Sequence, residues 1–190
     1  RNFEMIETNG IRLRVVVEGD GPLVILMHGF PQCWYLWRHQ IDPLVAAGWR
    51  VAVPDQRGYG GSDCPPNVED YGIRDLAADI DGLATALGHD EYALMIHDWG
   101  AIAGHHVALL YPERVRAVVT LSVPYLRDPA WAAMCTQEFH GDQFFYWAHF
   151  QRPNLIEAEL ESDLRRNLRG MIWGGSGDGP EPEMQPKHKD

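Results

Sequence analysis

Basic side chains are scarce in this chain. Sixteen Lys and Arg stand against 27 Asp and Glu, a formal net charge of −11 over 190 residues. That balance argues against nucleic acid and acidic membrane surfaces as partners, because both select basic surfaces. Cysteine is scarce too. Cys33, Cys64 and Cys135 lie far apart with no C-x-x-C, which suits reduced thiols in a cytoplasmic protein and neither a disulfide frame nor a zinc site. No apolar run reaches membrane-spanning length, and the first residues carry no signal-peptide pattern. The chain opens on Arg1 rather than Met, so its natural start is expected upstream. There are no internal repeats, and no Gly-Lys-Ser/Thr completes the glycine-rich stretch, which excludes a phosphate loop.

What remains is the composition of a globular domain, 45% hydrophobic and 23% charged, long enough for one domain with a substantial core. Two apolar stretches between Met5 and Val17 flank Asn9-Gly10, a hairpin signal. Leu23 to Met27 is continuously apolar, as in a strand covered on both faces, and runs into His28-Gly29-Phe30-Pro31. A helix is expected from about Trp34 to Ala47 and a strand at Val51–Val53, followed by Asp55-Gln56-Arg57-Gly58-Tyr59-Gly60, which reads as a tight surface loop. Ile73, Leu76, Ala77, Ile80, Leu83, Ala84 and Leu87 keep helical spacing up to Gly88. Tyr92 to Ile96 reads as a strand, Ala101 to Leu110 as a helix, and Val115 to Val123 as a further strand. Strands alternating with helices predict an α/β fold, a mostly parallel sheet with helices on both faces.

Between one such strand and its helix lies His97-Asp98-Trp99-Gly100. A polar residue at a strand-to-helix turn, with glycine close behind, has the layout of a nucleophile elbow. With aspartate at the centre, the nucleophile is already an anion at neutral pH. It suits displacement at sp3 carbon, which forms an alkyl ester whose carbonyl oxygen becomes an oxyanion when water attacks. Asp is also a favoured helix N-cap, and on this stretch alone capping explains it equally well. Two features favour chemistry. Both His28-Gly29-Phe30-Pro31 and Asp98 follow strands, at the edge where parallel sheets bind ligands, and the N–H groups of Phe30 and Trp99 can converge on one oxygen.

Taken in order, His28-Gly29-Phe30-Pro31, Asp55-Gln56-Arg57-Gly58-Tyr59-Gly60 and His97-Asp98-Trp99-Gly100 resemble the α/β-hydrolase fold, specifically the epoxide hydrolases, from about Phe3 to Gly179. The resemblance implies Asp98 as nucleophile, with Phe30 and Trp99 supplying the oxyanion-hole amides. It implies that His28 is a structural residue beside the loop; His28, Pro31 and Phe150 are also taken as candidate substrate contacts. Phe30-Pro31 is a candidate cis peptide. After Val123 come many aromatics (Phe144, Phe145, Tyr146, Trp147, Phe150), a pattern usual in packed cores. Tyr146-Trp147-Ala148-His149-Phe150-Gln151-Arg152-Pro153, with Glu157-Ala158-Glu159-Leu160, resembles the lid of that family, and Tyr146 stands where the pattern carries a ring-opening tyrosine. Ile156, Leu160, Leu164 and Leu168 form an apolar stripe beside a charged row of Glu157, Glu161, Arg165 and Arg169, which predicts one amphipathic lid helix.

The expected organisation is therefore the N-terminal part of an α/β-hydrolase core over 1–124, a helical lid over 125–173, and a polar loop or disordered tail over 174–190. The expected substrate is a small apolar epoxide, with no cofactor, no metal, no nucleic acid and no membrane. The oligomeric state is not legible. The resemblance also implies parts that these residues do not supply: a strand-ending histidine base with its acid, and a second tyrosine. After Asp98 come only His105, His106, His140, His149 and His188, and Asp128 is a weak candidate acid. The chain reads as C-terminally incomplete. His105 and His106 are expected in surface or packing roles, and His97 as a hydrogen-bonding neighbour of the nucleophile. Two alternatives stand beside the epoxide hydrolase. The elbow Ile96-His97-Asp98-Trp99-Gly100 is closer to the haloalkane dehalogenases, although residue 30 is Phe rather than their common Asn. A binding protein that keeps the fold without turnover is the other.

Overall fold

The computed structural model describes residues 1–125, 127, 136–142, 145–152, 154–174, 176–177 and 179. Cys135, Asp128, Phe144, Pro153, His188 and residues 180–190 lie outside the described residues. The chain divides into two units, residues 1–125 and 126–190.

The first unit is a six-stranded sheet. Its strands are β1 (Phe3–Thr8), β2 (Ile11–Glu18), β3 (Leu23–Met27), β4 (Arg50–Pro54), β5 (Tyr92–His97) and β6 (Val115–Leu121), in the order β1-β2-β4-β3-β5-β6. β1 and β2 are antiparallel, as are β2 and β4; the other neighbours run parallel. The β1–β2 turn has Asn9 and Gly10 both at positive φ (43° and 77°). Two such residues twist a two-residue turn to match the strands, which is why Asn-Gly is written there. β3 is buried at all five positions because both its faces are covered. On one face lie α2 (Ile73–Ala86) and α3 (Trp99–Leu110), which bring Ala77, Ile80, Leu83, Ala103 and Val107 onto Leu13, Ile25, Leu94 and Ile96. On the other lie a 3-10 turn at Trp34–Trp37 and α1 (Ile41–Ala46), with Trp37 and Ile41 against Val24, Leu26 and Val53.

The single helix expected from Trp34 to Ala47 is thus two shorter pieces. Pro43 has no N–H to donate and is tolerated only in a helix's first turn, so α1 begins just before it. α2 ends as expected. Gly88 takes φ 80°, the N–H of His89 reaches the Ala84 carbonyl at 3.0 Å, and that of Gly88 reaches Thr85 at 2.9 Å, the paired bonds of a Schellman cap. β6 stops at Leu121 rather than Val123, because Ser122 turns the chain at φ 76°.

In the second unit, α4 (Gln137–His140), α5 (Tyr146–Phe150), α6 (Leu155–Ser162) and α7 (Leu164–Gly174) are short. The one amphipathic helix expected here is broken at Asp163. That residue is extended at φ −154°, and its carboxylate accepts from the Arg166 N–H at 3.1 Å. Ser162 Oγ turns back to the Glu159 carbonyl at 2.7 Å. Short polar side chains that bond the local backbone compete with helix continuation in this way. Among the described residues, Glu157, Glu161, Arg165 and Arg169 form no ion pair.

Arg57 and Asp79 are 6% and 2% exposed and meet in a two-point bond, Nε to Oδ2 at 2.8 Å and Nη2 to Oδ1 at 2.6 Å. Arg57 also donates to the Asp70 carbonyl at 2.9 Å, and Asn9 donates to Asp79 at 2.9 Å. The pair ties the loop after β4 to α2 and to the β1–β2 turn. Removing one partner leaves a buried charge, so Arg57→Met is expected to cost about 3–5 kcal/mol in urea unfolding. A loss below about 1 kcal/mol contradicts the burial, because that is the value of a solvated pair.

Candidate active site

β3 and β5 are parallel neighbours, with Met27 opposite Ile96. The residues just beyond them, His28-Gly29-Phe30 and Asp98, leave the sheet side by side at its carboxyl edge. From β3 the chain moves to β4 on one side, and from β5 to β6 on the other. The site therefore sits in the crevice where strand order reverses, the usual ligand position in open α/β sheets.

Asp98 holds φ 55° and ψ −123°. A non-glycine residue there costs about 1–3 kcal/mol and persists only when its surroundings over-determine it. Three glycines permit the turn. A Cβ on Gly29 would strike the Asp98 side chain, one on Gly100 would strike the carbonyls of Met27 and His28, and one on Gly104 would strike Ile96. The last explains how isoleucine fits at position 96: the facing helix position gives up its side chain. α3 starts at once, with the N–H groups of Ala101 and Ile102 donating to the Asp98 carbonyl at 2.9 and 3.3 Å.

The Asp98 side chain makes no capping bond to α3. Its Oδ1 instead accepts the N–H of Phe30 at 2.9 Å, from the loop after β3. The helix-cap reading is corrected by this geometry, since the carboxylate is turned across the crevice. Oδ2 has no hydrogen bond among the described residues. Trp99 opens α3 directly after Asp98 and is 43% exposed. The Phe30–Pro31 bond is cis, and Pro31 is half-buried.

Behind this pair lies a buried scaffold. His28 is fully buried, with Nδ1 2.9 Å from the Gly29 carbonyl and Nε2 accepting from the Gln56 N–H at 3.0 Å. One nitrogen must donate and the other must accept, so the ring is neutral with its proton on Nδ1. Burial lowers the His28 pKa, overcoming the opposing pull of the Gly29 carbonyl, Asp55 and Asp98. The Gln56 side chain also donates to the His28 carbonyl. A substrate contact through the His28 side chain is therefore corrected: both nitrogens are engaged beneath the loop. Asp55, also fully buried, accepts from the Trp34 N–H at 2.9 Å, the Gly61 N–H at 3.2 Å and Arg14 Nε at 2.8 Å. The stretch read as a tight surface loop thus has Asp55, Gln56 and Arg57 inside the protein. Tyr59 sets its ring edge-on to His28, with centroids 4.9 Å apart. Its phenol is pushed up to about 12, first by burial and then by the charge of Asp98, and so stays protonated.

The other histidines take modest places. His106 Nδ1 bonds the Ile102 carbonyl at 2.8 Å, and His105 Nε2 lies 3.4 Å from that of Val123. His97 keeps a buried Nδ1 without a hydrogen-bond partner among the described residues. Among the described residues no three His, Cys, Asp or Glu are grouped to hold a metal, and no helix is long and apolar enough to cross a membrane. In the second unit, the rings of Tyr146 and Phe150 lie 5.5 Å apart, and both line a cavity of about 620 Å3.

The sequence pattern of the alpha/beta hydrolase fold family matches residues 22–159. The chain is 47% identical over 175 residues to epoxide hydrolase A of Mycobacterium tuberculosis, covering 90% of this chain and 54% of that protein. The crystal structure of epoxide hydrolase A from Mycobacterium thermoresistibile superimposes with a TM-score of 0.88 at 43% identity, over 98% of this chain and 65% of that one. An epoxide hydrolase from an endophytic Streptomyces gives a TM-score of 0.91 at 40% identity, over 96% and 55% respectively. The chain spans about half the length of the curated relative described here.

A neutral buried His28 makes stability depend on pH. Its folded pKa lies below the unfolded value of about 6.5, so the unfolded chain binds the proton more readily and stability rises with pH across that interval. The contribution is complete above pH ~6.5 and is lost as pH falls toward the folded pKa. His28→Gln is expected to flatten the loss of stability between about pH 7 and pH 5 in denaturant titrations. An unchanged slope contradicts the neutral, buried ring.

Proposed function

This chain belongs to the alpha/beta hydrolase fold family, and on that premise we propose that it carries the nucleophilic machinery of an epoxide hydrolase. Asp98 Oδ2 attacks an epoxide carbon, the carbon–oxygen bond breaks, and its electron pair passes to the epoxide oxygen. Tyr146 donates its phenolic proton to that oxygen as the alkoxide forms, and an ester of Asp98 results. Water then attacks the ester carbonyl carbon. Oδ1 takes up the negative charge, stabilised by the N–H groups of Phe30 and Trp99. A base takes one proton from the water and returns it to the Tyr146 phenolate, while the water's other proton passes to the alkoxide expelled on collapse. Collapse releases the vicinal diol and restores the carboxylate.

The observation that carries this reading is the 2.9 Å bond from the Phe30 N–H to Oδ1 of a strained Asp98. A helix cap would spend that carboxylate on α3. One oxygen instead accepts from the Phe30 N–H, which supports that N–H as an oxyanion donor. The other has no hydrogen bond among the described residues, which supports it as the attacking atom. The names of the relatives support epoxides over other electrophiles. Displacement of halide by the same aspartate has less support, because Phe30 offers a halide no side-chain donor. In this reading the second unit is the lid. Its cavity, with Tyr146 beside apolar Phe150, Ile156 and Leu160, suits an apolar substrate. Free Cys33 and Cys64 agree with a cytoplasmic setting.

With styrene oxide as the probe, the protein is expected to gain the mass of one epoxide or to release the diol. Asp98→Asn should do neither at a detectable rate, a loss on the order of 10⁶-fold where a nucleophile is removed. Epoxide consumption retained in a folded Asp98→Asn protein overturns the assignment. Absence of both adduct and diol in the unmodified protein favours a binding protein instead.

A further inference from the structure

α5, which carries Tyr146, has only five residues, and its N-cap residue Phe145 makes no side-chain cap bond. A helix this short has no stability of its own and takes its orientation from what it touches. One turn after Tyr146, His149 Nε2 lies 3.1 Å from Glu159 Oε2 on α6. The histidine side chain is largely covered, at 18% exposure, while the glutamate faces solvent at 57%. Glu159 is itself well anchored. Its carbonyl accepts from Asn167 Nδ2 of α7 at 2.8 Å as well as from Ser162 Oγ, so it sits where α6 and α7 are sewn together. Tyr146, His149 and Glu159 line the same cavity, with Arg166 of α7 the other charged side chain lining it among the described residues. On the α4 side, His140 lies against Phe145, with ring centroids 4.0 Å apart.

We propose that His149, held by Glu159, is the positioning residue for Tyr146, fixing α5 on the α6–α7 pair so that the phenol meets the epoxide oxygen. The inference rests on the epoxide hydrolase reading and deepens it. In this role His149 acts through Tyr146 and not on the epoxide itself. Its bond stops rotation of the short helix that bears the proton donor, where a displacement of about 1 Å can cost as much as 100-fold in rate. The requirement is an N–H donor at the position of Nε2, which glutamine can supply and leucine cannot.

The test uses the full chain, styrene oxide and the rate at which protein mass rises or diol appears. Tyr146→Phe is expected to slow the reaction by about 100-fold or more, and His149→Leu by on the order of 10-fold or more. His149→Gln should return to within about twofold of the unmodified protein, and His149→Leu should add nothing in the Tyr146→Phe background. An equal effect of His149→Leu in both backgrounds, no effect, or no rescue by glutamine overturns the inference. A second readout does not need turnover: 3-fluorotyrosine at position 146 should shift its fluorine resonance in His149→Leu and in Glu159→Leu, and keep it in His149→Gln. An unmoved resonance overturns the positioning role alone. An unchanged rate in Tyr146→Phe overturns the tyrosine's part in the reaction, and this inference with it.

Discussion

The first unit is arranged around one strained peptide. Asp98 is held at φ 55° between β5 and α3, a conformation that opposes the fold by about 1–3 kcal/mol. Everything near it is cut to that shape. Gly29 and Gly100 have no side chains because the Asp98 carboxylate and the end of β3 occupy the space a Cβ would need. The strain turns the carboxylate away from the helix it would otherwise cap and toward the Phe30 N–H. A tight strand-to-helix turn thereby becomes a charged group presented at the edge of a sheet, with a donor fixed opposite it.

A strained centre needs a stiff frame, and the loops after β3 and β4 provide one. Gln56 grips His28 from both its backbone and its side chain, while Asp55 reaches Trp34, Gly61 and Arg14. Next to them, Arg57 pins the same stretch to Asp79 of α2. His28, Asp55, Gln56, Arg57 and Asp79 are buried and hydrogen-bonded, so displacing one leaves another without its partner, a loss of about 1–3 kcal/mol or more. The neutral state of His28 follows from the same packing. The frame fixes the distance from Phe30 to Asp98, and the proposed chemistry rests on that distance.

Much of this was legible in the residues themselves. Asn9-Gly10, the apolar run of β3, the spacing of α2 and the polar residue after β5 each carry a local physical signature, and the parallel sheet follows from their alternation. What was not legible depends on distant partners. Asp55, Gln56 and Arg57 look like a polar loop because nothing nearby reveals that Arg14, His28 and Asp79 lie across the fold to receive them. A charged pair set directly behind an apolar strand was the available signal. The helices failed where a single residue outweighed the period: Pro43 restarts α1, and Ser162-Asp163 divides α6 from α7. Capping and nucleophile could not be separated at Asp98 from type and position alone, since both call for aspartate at a helix start. The direction of one carboxylate oxygen shows that the side chain does not cap α3, which is the observation the proposed nucleophile rests on.

The claim on which the account turns is that Asp98 forms the bond to substrate. The most direct measurement is tandem mass spectrometry of a protease digest after brief exposure to styrene oxide. The account predicts one epoxide mass on the peptide that contains Asp98, located on that aspartate. Modification confined to Cys33, Cys64 or a histidine, with Asp98 unmodified while epoxide is consumed without diol, would contradict it.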